Sequence, residues 1–309
     1  MTIATAGNIT MTQAEFHALT EKLSNWGKWG ADDKLGTLNY LTDEVRAAAA
    51  KLVVDGTVVS CANDITSDAR VDTPQPPLHI PFWNRMKDFG VAGESLTIQP
   101  HGWFTTHLDA LSHLNYGGKT YNGHDVDPYA TGDQTINSIM AGKDGIVGRG
   151  VLIDLVAINE KEWLDPGEAA TMEDIEQALA AQKTEILPGD ILYFYTGRWA
   201  REAALGVIPA AAGLAGISIH CVEWVHRNQI STMVCDAGMD TQPPEVENIR
   251  IPWHILTLVS MGMMITDNAN MERLAAACRA KGRYEFLTTM APLRLPKANS
   301  SPINPLAIF

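Results

Sequence analysis

The sequence predicts an α/β fold: a single domain over residues 1–309 in which helices flank a mixed β-sheet. Hydrophobic residues make up 46% of the 309 positions and charged residues 19%, which is enough apolar material for a sizeable core. Short strand-like segments alternate with helical ones over most of the chain, the order typical of α/β proteins. No flexible linker interrupts this pattern, and only residues 1–10 are expected to be loose.

The first elements are two helices and a strand. Residues 12–23 have a helical pattern, and Thr42 is a good N-cap for a second helix over residues 43–54, whose first turn is acidic. A strand is predicted at residues 57–63. Residues 67–100 are rich in Pro, Gly and Asp and are predicted to form a long loop, which in a compact domain is usually functional or a lid.

The remaining strands and helices alternate to the end of the chain. Strands are predicted at residues 105–111, 150–158, 191–197, 231–238, 263–268 and 284–292. Helices are predicted at residues 171–182, 218–229, 253–262 and 271–281.

Composition excludes several classes of partner. Lys and Arg number 23 against 36 Asp and Glu, a net charge of −13, and without basic clusters the chain is not expected to bind nucleic acid. The most apolar run, residues 253–265, is shorter than the roughly 20 residues of a membrane span. The first residues lack the features of a secretory signal, and the four cysteines form no CxxC pair, so reduced thiols and a cytoplasmic location are expected.

The segment richest in side chains that could bind a metal or transfer a proton contains His107, Asp109 and His113. On a strand, His107 and Asp109 share a face, and an imidazole beside a carboxylate supplies two ligands for Zn²⁺ or Mn²⁺. His113 follows where the strand would end, well placed to carry a proton. Surface side chains or one internal ion pair would give the same triplet, but the glycine-rich turn at residues 117–123 favours a ligand site.

The sequence also resembles a known family. The segments at residues 25–39, 103–113, 188–199 and 291–308 resemble, in the right order, segments of the cyclase family of metal-dependent amidohydrolases, which includes kynurenine formamidases and isatin hydrolases. The resemblance covers nearly the whole chain and is strongest to the longer members. It implies a swivelling β/β/α fold and a homodimer or homotetramer.

The resemblance assigns roles to five residues. His107 and Asp109 fall on metal ligands of the family, and His113 falls on its catalytic histidine. His254 matches a ligand histidine that opens a helix, and Asp267 matches a bridging glutamate.

Two positions depart from the family pattern. Trp103 replaces the first histidine of the signature and cannot bind a metal, because an indole N–H only donates. Asp267 is shorter than the glutamate that it replaces. His101 is a possible substitute ligand. A single metal with few ligands, a rearranged site and a metal-free site all remain open; we expect one divalent ion, Zn or Mn.

Tryptophans on Gly- and Pro-rich segments are candidate substrate contacts. Trp26, Trp29 and Trp83 could wall an apolar pocket or could fix loops to the core, whereas Trp103 should project into the site.

Two carboxylates after a strand, Asp236 and Asp240, either face the site or cap the next turn.

The sequence thus predicts an enzyme that hydrolyses a small cyclic or N-acyl amide, imide or lactone, with His113 as the acid and base. The alternatives are a ring-closing or dehydrating enzyme that uses His113 and Asp109 in a remodelled or metal-free site, and a small-molecule binding protein.

Overall fold

A nine-stranded mixed sheet organises the protein. The computed structural model describes residues 9–73, 75–126, 136–158, 161–207, 209 and 212–309. The strands are β1 (Val58–Ser60), β2 (Leu78–Arg85), β3 (Gly90–Thr97), β4 (His107–Asp109), β5 (Ile146–Asp154), β6 (Ala169–Ala170), β7 (Ile191–Tyr195), β8 (Gly216–Ile217), β9 (Thr232–Cys235), β10 (Ile265–Asp267), β11 (Glu285–Met290), β12 (Ser300–Pro302) and β13 (Leu306–Ile308). The large sheet has the order β1-β13-β11-β5-β7-β9-β10-β4-β12, in which β5, β7, β9 and β10 run parallel.

Helices flank this sheet. They are α1 (Gln13–Lys22), α2 (Asp43–Ala50), α3 (Leu155–Ile158), α4 (Met172–Gln182), α5 (Arg198–Leu205), α6 (Val222–Arg227), α7 (Pro252–His254) and α8 (Glu272–Lys281). A π-helical segment, Ile255–Met261, continues α7. The predicted α/β fold with a mixed sheet and flanking helices is confirmed.

Most predicted elements form, many with shorter bounds, but the strand predicted at residues 150–158 lies at Ile146–Asp154, and Leu155–Ile158 is helical. Thr42 caps α2 as predicted, by accepting a hydrogen bond from the backbone N–H of Val45, but the helix ends at Ala50, four residues before the predicted end. Of residues 1–10, predicted to be loose, residues 1–8 lie outside the described part, and the backbone N–H of Thr10 donates to the carbonyl of Glu245 over 2.8 Å.

The prediction of a long loop over residues 67–100 is wrong. The segment contains the β2–β3 hairpin, with Leu78 opposite Thr97 and Arg85 opposite Gly90. Pro81 and Gly93 interrupt the alternation of apolar and polar residues, so the sequence pattern does not indicate the two strands. The structure accommodates both, because a proline is tolerated on an edge strand and the Phe82 ring covers Gly93.

The sheet curls until its two ends approach each other. β12 lies at one end beside β4, and β13 lies at the other end between β1 and β11. Only four residue steps separate Pro302 from Leu306, so the chain between them spans at most about 14 Å. Seven strand spacings in a flat sheet would require about 34 Å. The connection is therefore possible only because the sheet is strongly curved.

The core lies on both faces of the central strands. The four cysteines are buried and unpaired, as expected for reduced thiols. None of the described helices combines the length and the apolar character needed to cross a membrane.

Candidate active site

β4 positions the first two candidate ligands. His107 and Asp109 point to the same face of the sheet, while Leu108 between them is fully buried in the core. The antiparallel pairing with β10 sets Asp267 directly opposite His107. Side chains in directly opposed positions have Cβ atoms about 4.5–5.5 Å apart. A carboxylate that is remote in the sequence therefore joins the pair.

These three side chains form one group with the spacing of a metal site. Ligand atoms of His107, Asp109 and Asp267 all lie within 4.8 Å of one another, and His107 Nε2 is 3.4 Å from Asp109 Oδ1. His107 Nδ1 lies 2.8 Å from the carbonyl oxygen of Thr105, which can only accept a hydrogen bond. The proton is therefore assigned to Nδ1, which leaves the lone pair of Nε2 directed into the site.

A second group shares Asp109. His101, Asp109 and His113 also offer ligand atoms within 4.8 Å of one another. His101 Nε2 lies 3.1 Å from Asp109 Oδ1, and His113 Nε2 lies 3.9 Å from Asp109 Oδ2. The rings of His101 and His113 stack with centroids 3.8 Å apart. Asp109 is thus common to two sets of potential ligands.

His254 completes the cluster from α7. Its Nε2 lies 3.2 Å from Asp267 Oδ2 and 3.7 Å from Asp109 Oδ2. Its Nδ1 forms a short contact with Asp240 Oδ2, and the other oxygen of Asp240 accepts a hydrogen bond of 2.7 Å from the backbone N–H of Trp253. Asp240 is thereby fixed and orients the imidazole, as carboxylates commonly do behind metal-binding histidines.

Two buried carboxylate oxygens have no hydrogen-bond partner among the described residues: Asp109 Oδ1 and Asp267 Oδ1. His101 Nε2 is close to the first of these oxygens but is not aligned for a hydrogen bond. An unsatisfied buried acceptor costs about 1–3 kcal/mol, and more if it is charged. A divalent cation would remove this cost, so the residues present fit a metal.

The cluster perturbs the charges of its members. Burial opposes the ionisation of Asp109, but His113, His107 and His101 outweigh it and hold the pKa of Asp109 below its usual range. Burial lowers the pKa of His113 to about 4 against the opposing effect of Asp109, which keeps this imidazole neutral near pH 7. For His254, burial is outweighed by Asp267 and Asp240, which raise its pKa well above the ordinary value.

A polar clamp holds the backbone beside the site. The Arg198 guanidinium donates to the carbonyl of Trp103 and, over 2.6 Å, to Asn268 Oδ1. Asn268 Nδ2 donates to the carbonyl oxygens of Gly102, over 2.7 Å, and Thr105, over 3.2 Å. We call Arg198 and Asn268 the clamp. Sequence reasoning assigned neither residue a role, although Arg198 lies in one of the segments that resemble the cyclase family.

The cluster opens into a cavity of about 220 Å³. Besides the acidic and histidine side chains, its walls include Trp103, Leu214, Gly238, Gln242, Ile251 and Asn268. Trp103 is half-buried and packs against the core as well as lining the cavity. His101, two residues earlier, reaches the cluster itself.

The other three candidate tryptophans, Trp26, Trp29 and Trp83, do not line this cavity, in contrast to the prediction that they wall the substrate pocket. Trp26 Nε1 donates to the carbonyl of Val259 over 2.7 Å, and Trp29 packs edge-on against Tyr40 at 5.2 Å between ring centroids. Trp83 is 69% exposed on the β2–β3 hairpin. The first two fix irregular segments to the body, the alternative that the sequence left open.

Asp236 and Asp240, for which the sequence left two roles open, have different surroundings. Asp240 faces the site through His254. Asp236 instead caps the start of α5, accepting from the backbone N–H groups of Thr196, Gly197 and Arg198. Burial raises the pKa of Asp236 to about 6.

Comparison with known proteins identifies the family. The family model Cyclase, described as "Putative cyclase", matches residues 19–240, and the chain belongs to this family. A search of curated proteins finds no match.

Solved structures show the same fold. A structure described as a novel cyclase is 32% identical, with a TM-score of 0.82, and the match covers 93% of this chain and 99% of the other. An isatin hydrolase bound to the product analogue thioisatinate is 17% identical, with a TM-score of 0.56 over 84% of this chain and 93% of the other. A "potential metal-dependent hydrolase with cyclase activity" is 16% identical, with a TM-score of 0.51 over 81% of this chain and 98% of the other.

Proposed function

We propose that this protein is a metal-dependent hydrolase that cleaves a small cyclic or N-acyl amide, imide or lactone. The observation that carries the proposal is that Asp109 lines the cavity, is shared by two ligand groups and has an unsatisfied oxygen. Membership of the cyclase family supports it, as does a fold in common with an isatin hydrolase.

One divalent ion, Zn²⁺ or Mn²⁺, is the proposed cofactor. His107, Asp109 and Asp267 would hold it, with His254 beside them and His101 as a further ligand. This mixture of imidazole nitrogens and carboxylate oxygens suits either metal. When bound, the ion supplies Lewis-acid polarisation of a carbonyl and makes water more acidic.

His113 is the proposed proton carrier. It lines the cavity with its side chain 25% exposed, so it can reach both water and substrate. As a neutral imidazole it accepts a proton from the water that attacks the carbonyl carbon. It then returns this proton to the leaving nitrogen or oxygen as the C–N or C–O bond breaks, and the carboxylic acid that forms releases its own proton to solvent. Asp109, 3.9 Å away, stabilises the imidazolium formed between the two steps.

The cavity walls limit the substrate. A volume of about 220 Å³ is smaller than the roughly 300–1,000 Å³ of sites for drug-sized ligands, so the reacting part of the substrate is small. The Trp103 indole offers a flat apolar surface, and Leu214 and Ile251 add aliphatic walls. Gln242 can exchange hydrogen bonds with a ring carbonyl or N–H.

A ring-closing or dehydrating enzyme is the second candidate. It is favoured by one observation: Trp103 lines the cavity from the position of the family's first ligand. Two histidine–carboxylate pairs face the same space, His113 with Asp109 and His254 with Asp240, and these could donate and accept protons without a metal.

Metal content and activity separate the two candidates. The protein should be purified without chelator or affinity metal, analysed for metals, stripped, and assayed on formamides, lactones and cyclic imides. We expect one equivalent of a divalent ion, loss of hydrolysis on stripping, and recovery with Zn²⁺ or Mn²⁺. Full activity of the stripped enzyme would exclude the metal-dependent mechanism and favour acid–base chemistry alone.

A further inference from the structure

Two amide side chains line the cavity, Gln242 and Asn268. Both ends of the Asn268 amide are occupied by hydrogen bonds within and beside the clamp. The Gln242 amide is only half occupied. Its Nε2 donates to the carbonyl oxygen of Arg250 over 2.8 Å, whereas its Oε1 has no hydrogen-bond partner among the described residues. Gln242 therefore brings a free acceptor to the cavity wall.

The neighbour of Gln242 determines which end of the amide faces the cavity. A backbone carbonyl can only accept a hydrogen bond, so the nitrogen and not the oxygen of the amide is assigned to the Arg250 side. Arg250 is exposed and does not line the cavity. Because Nε2 is turned toward Arg250, Oε1 is the polar atom of this side chain that remains for the cavity.

The backbone of Gln242 is held in place. Its N–H donates to the carbonyl of Leu214, and its carbonyl accepts from the N–H of Leu214, both over 3.0 Å. The chain beside Leu214 approaches closely because residue 213 is a glycine: a Cβ there would lie 2.4 Å from the Gln242 carbonyl oxygen. A ligand that binds Oε1 therefore meets a preorganised wall and orders little of the backbone on binding.

Gln242 lies nearer to solvent than the candidate ligands. Asp109 and Asp267 are buried, whereas Gln242 is partly exposed. Asp240, which orients His254, is two residues away, so the Cα atoms of Asp240 and Gln242 are at most about 7 Å apart. A substrate whose carbonyl reaches the buried ligands would have its remote end beside Gln242.

The charges of the cavity wall favour a neutral group at this remote end. Among the described residues, no Lys or Arg lines the cavity, whereas the carboxylates of Asp109, Asp240 and Asp267 do. An anionic group on the substrate would therefore lose its hydration without gaining a fixed counter-charge. A neutral hydrogen-bond donor matches the free acceptor.

We propose that Gln242 is a specificity-determining residue of this site. Its Oε1 accepts a hydrogen bond from a neutral hydroxyl or amino group at the end of the substrate remote from the reacting carbonyl. A site built around such a hydrogen bond rejects analogues that lack the donor, because its acceptor is then left unpaired. This inference deepens the proposed function and rests on it for the position of the carbonyl.

Matched pairs of probes test the proposal on the purified holoenzyme. Phthalimides with one ring hydroxyl are compared with their methyl ethers by kcat/KM. The corresponding isoindolinones, lactams that resist hydrolysis, are compared by calorimetric binding. We expect at least one hydroxyl isomer to be preferred over its ether by about 10-fold or more in both assays.

Gln242→Met keeps the length of the side chain but removes the amide. The ether has the same bulk in both proteins, so a change in the preference reports the hydrogen bond. Gln242→Met should lower the hydroxyl-to-ether ratio by at least about fivefold. The matched control is Gln177→Met on the exposed side of α4, which should keep the wild-type ratio. Gln242→Leu provides a second variant that lacks the acceptor.

Equal ratios in the wild type and the Gln242 variants, or no preference of the wild type for any hydroxyl isomer, would overturn the proposal. The wild-type comparison does not depend on any variant folding. Binding of the isoindolinones requires no turnover, which separates this inference from the proposed function. Donor preference in binding without hydrolysis of any imide would reject the hydrolase and keep the role of Gln242. Hydrolysis without donor preference would do the reverse.

Discussion

Replacing Arg198 with methionine tests whether the clamp supports the site. The guanidinium is buried and donates to Asn268 Oδ1 and to the Trp103 carbonyl. Arg198→Met leaves both acceptors without this donor, at about 1–3 kcal/mol each, or about 2–6 kcal/mol together. Burial lowers the pKa of Arg198, because a buried cation loses its hydration. Removing this cation therefore offsets part of the cost of leaving the two acceptors unsatisfied. We expect a net loss of about 2–4 kcal/mol in the free energy of unfolding.

The assay is urea denaturation of Arg198→Met beside Arg201→Met. Arg201 lies on the same helix, and its partner Asp165, at 3.6 Å, has a side chain that is 62% exposed. Such an ion pair contributes about 0–1 kcal/mol. Arg198→Met should also weaken divalent-ion binding by about 10- to 100-fold, because the clamped segment leads directly to His101. If the two variants lose equal stability and bind the ion equally well, the clamp has no supporting role.

Three further predictions concern the candidate ligands and the proton carrier. His113→Ala should lower kcat by about 10²–10⁴ with metal content unchanged, measured by steady-state kinetics and elemental analysis; loss of the metal would show that His113 is a ligand. Asp109→Asn should abolish both metal binding and activity, since an amide is a poor ligand for a divalent ion, and a variant that retains its metal would contradict the shared role of Asp109. Trp103→His should tighten metal binding in calorimetric titration but reduce activity, and His101→Ala should weaken binding; no change of affinity in either variant would place the metal elsewhere.

The pair of side chains on β4, His107 and Asp109, is the part of the site that local sequence could predict. Alternation along β4 is a property of any strand, so the shared face of His107 and Asp109 follows from their spacing. The approach of Asp267 depends on antiparallel pairing between β4 and β10, which no local pattern contains. Only the family resemblance brought Asp267 and His254 into the predicted set.

The elements that the sequence missed are short or interrupted. β12 and β13 are three residues each and lie among prolines, so their alternation is too brief to recognise. α5 begins at Arg198, immediately after Gly197 in a left-handed conformation. Its start is held by the buried carboxylate of Asp236, which follows β9, and not by a local capping side chain. Tertiary contacts decide these elements, and the amino-acid pattern alone does not reveal them.

The late position of β12 in the chain has a consequence for biosynthesis. β4 carries His107 and Asp109, yet its two neighbours in the sheet, β10 and β12, are both translated much later. From Asp109 to Pro302 the ribosome adds 193 residues (302 − 109), which takes about 10–40 s at the usual elongation rates of roughly 5–20 residues per second. Until β10 emerges, both edges of β4 are unpaired, and one edge stays unpaired until β12 follows, a state prone to aggregation. The nascent chain should therefore depend on chaperones until its last strands emerge.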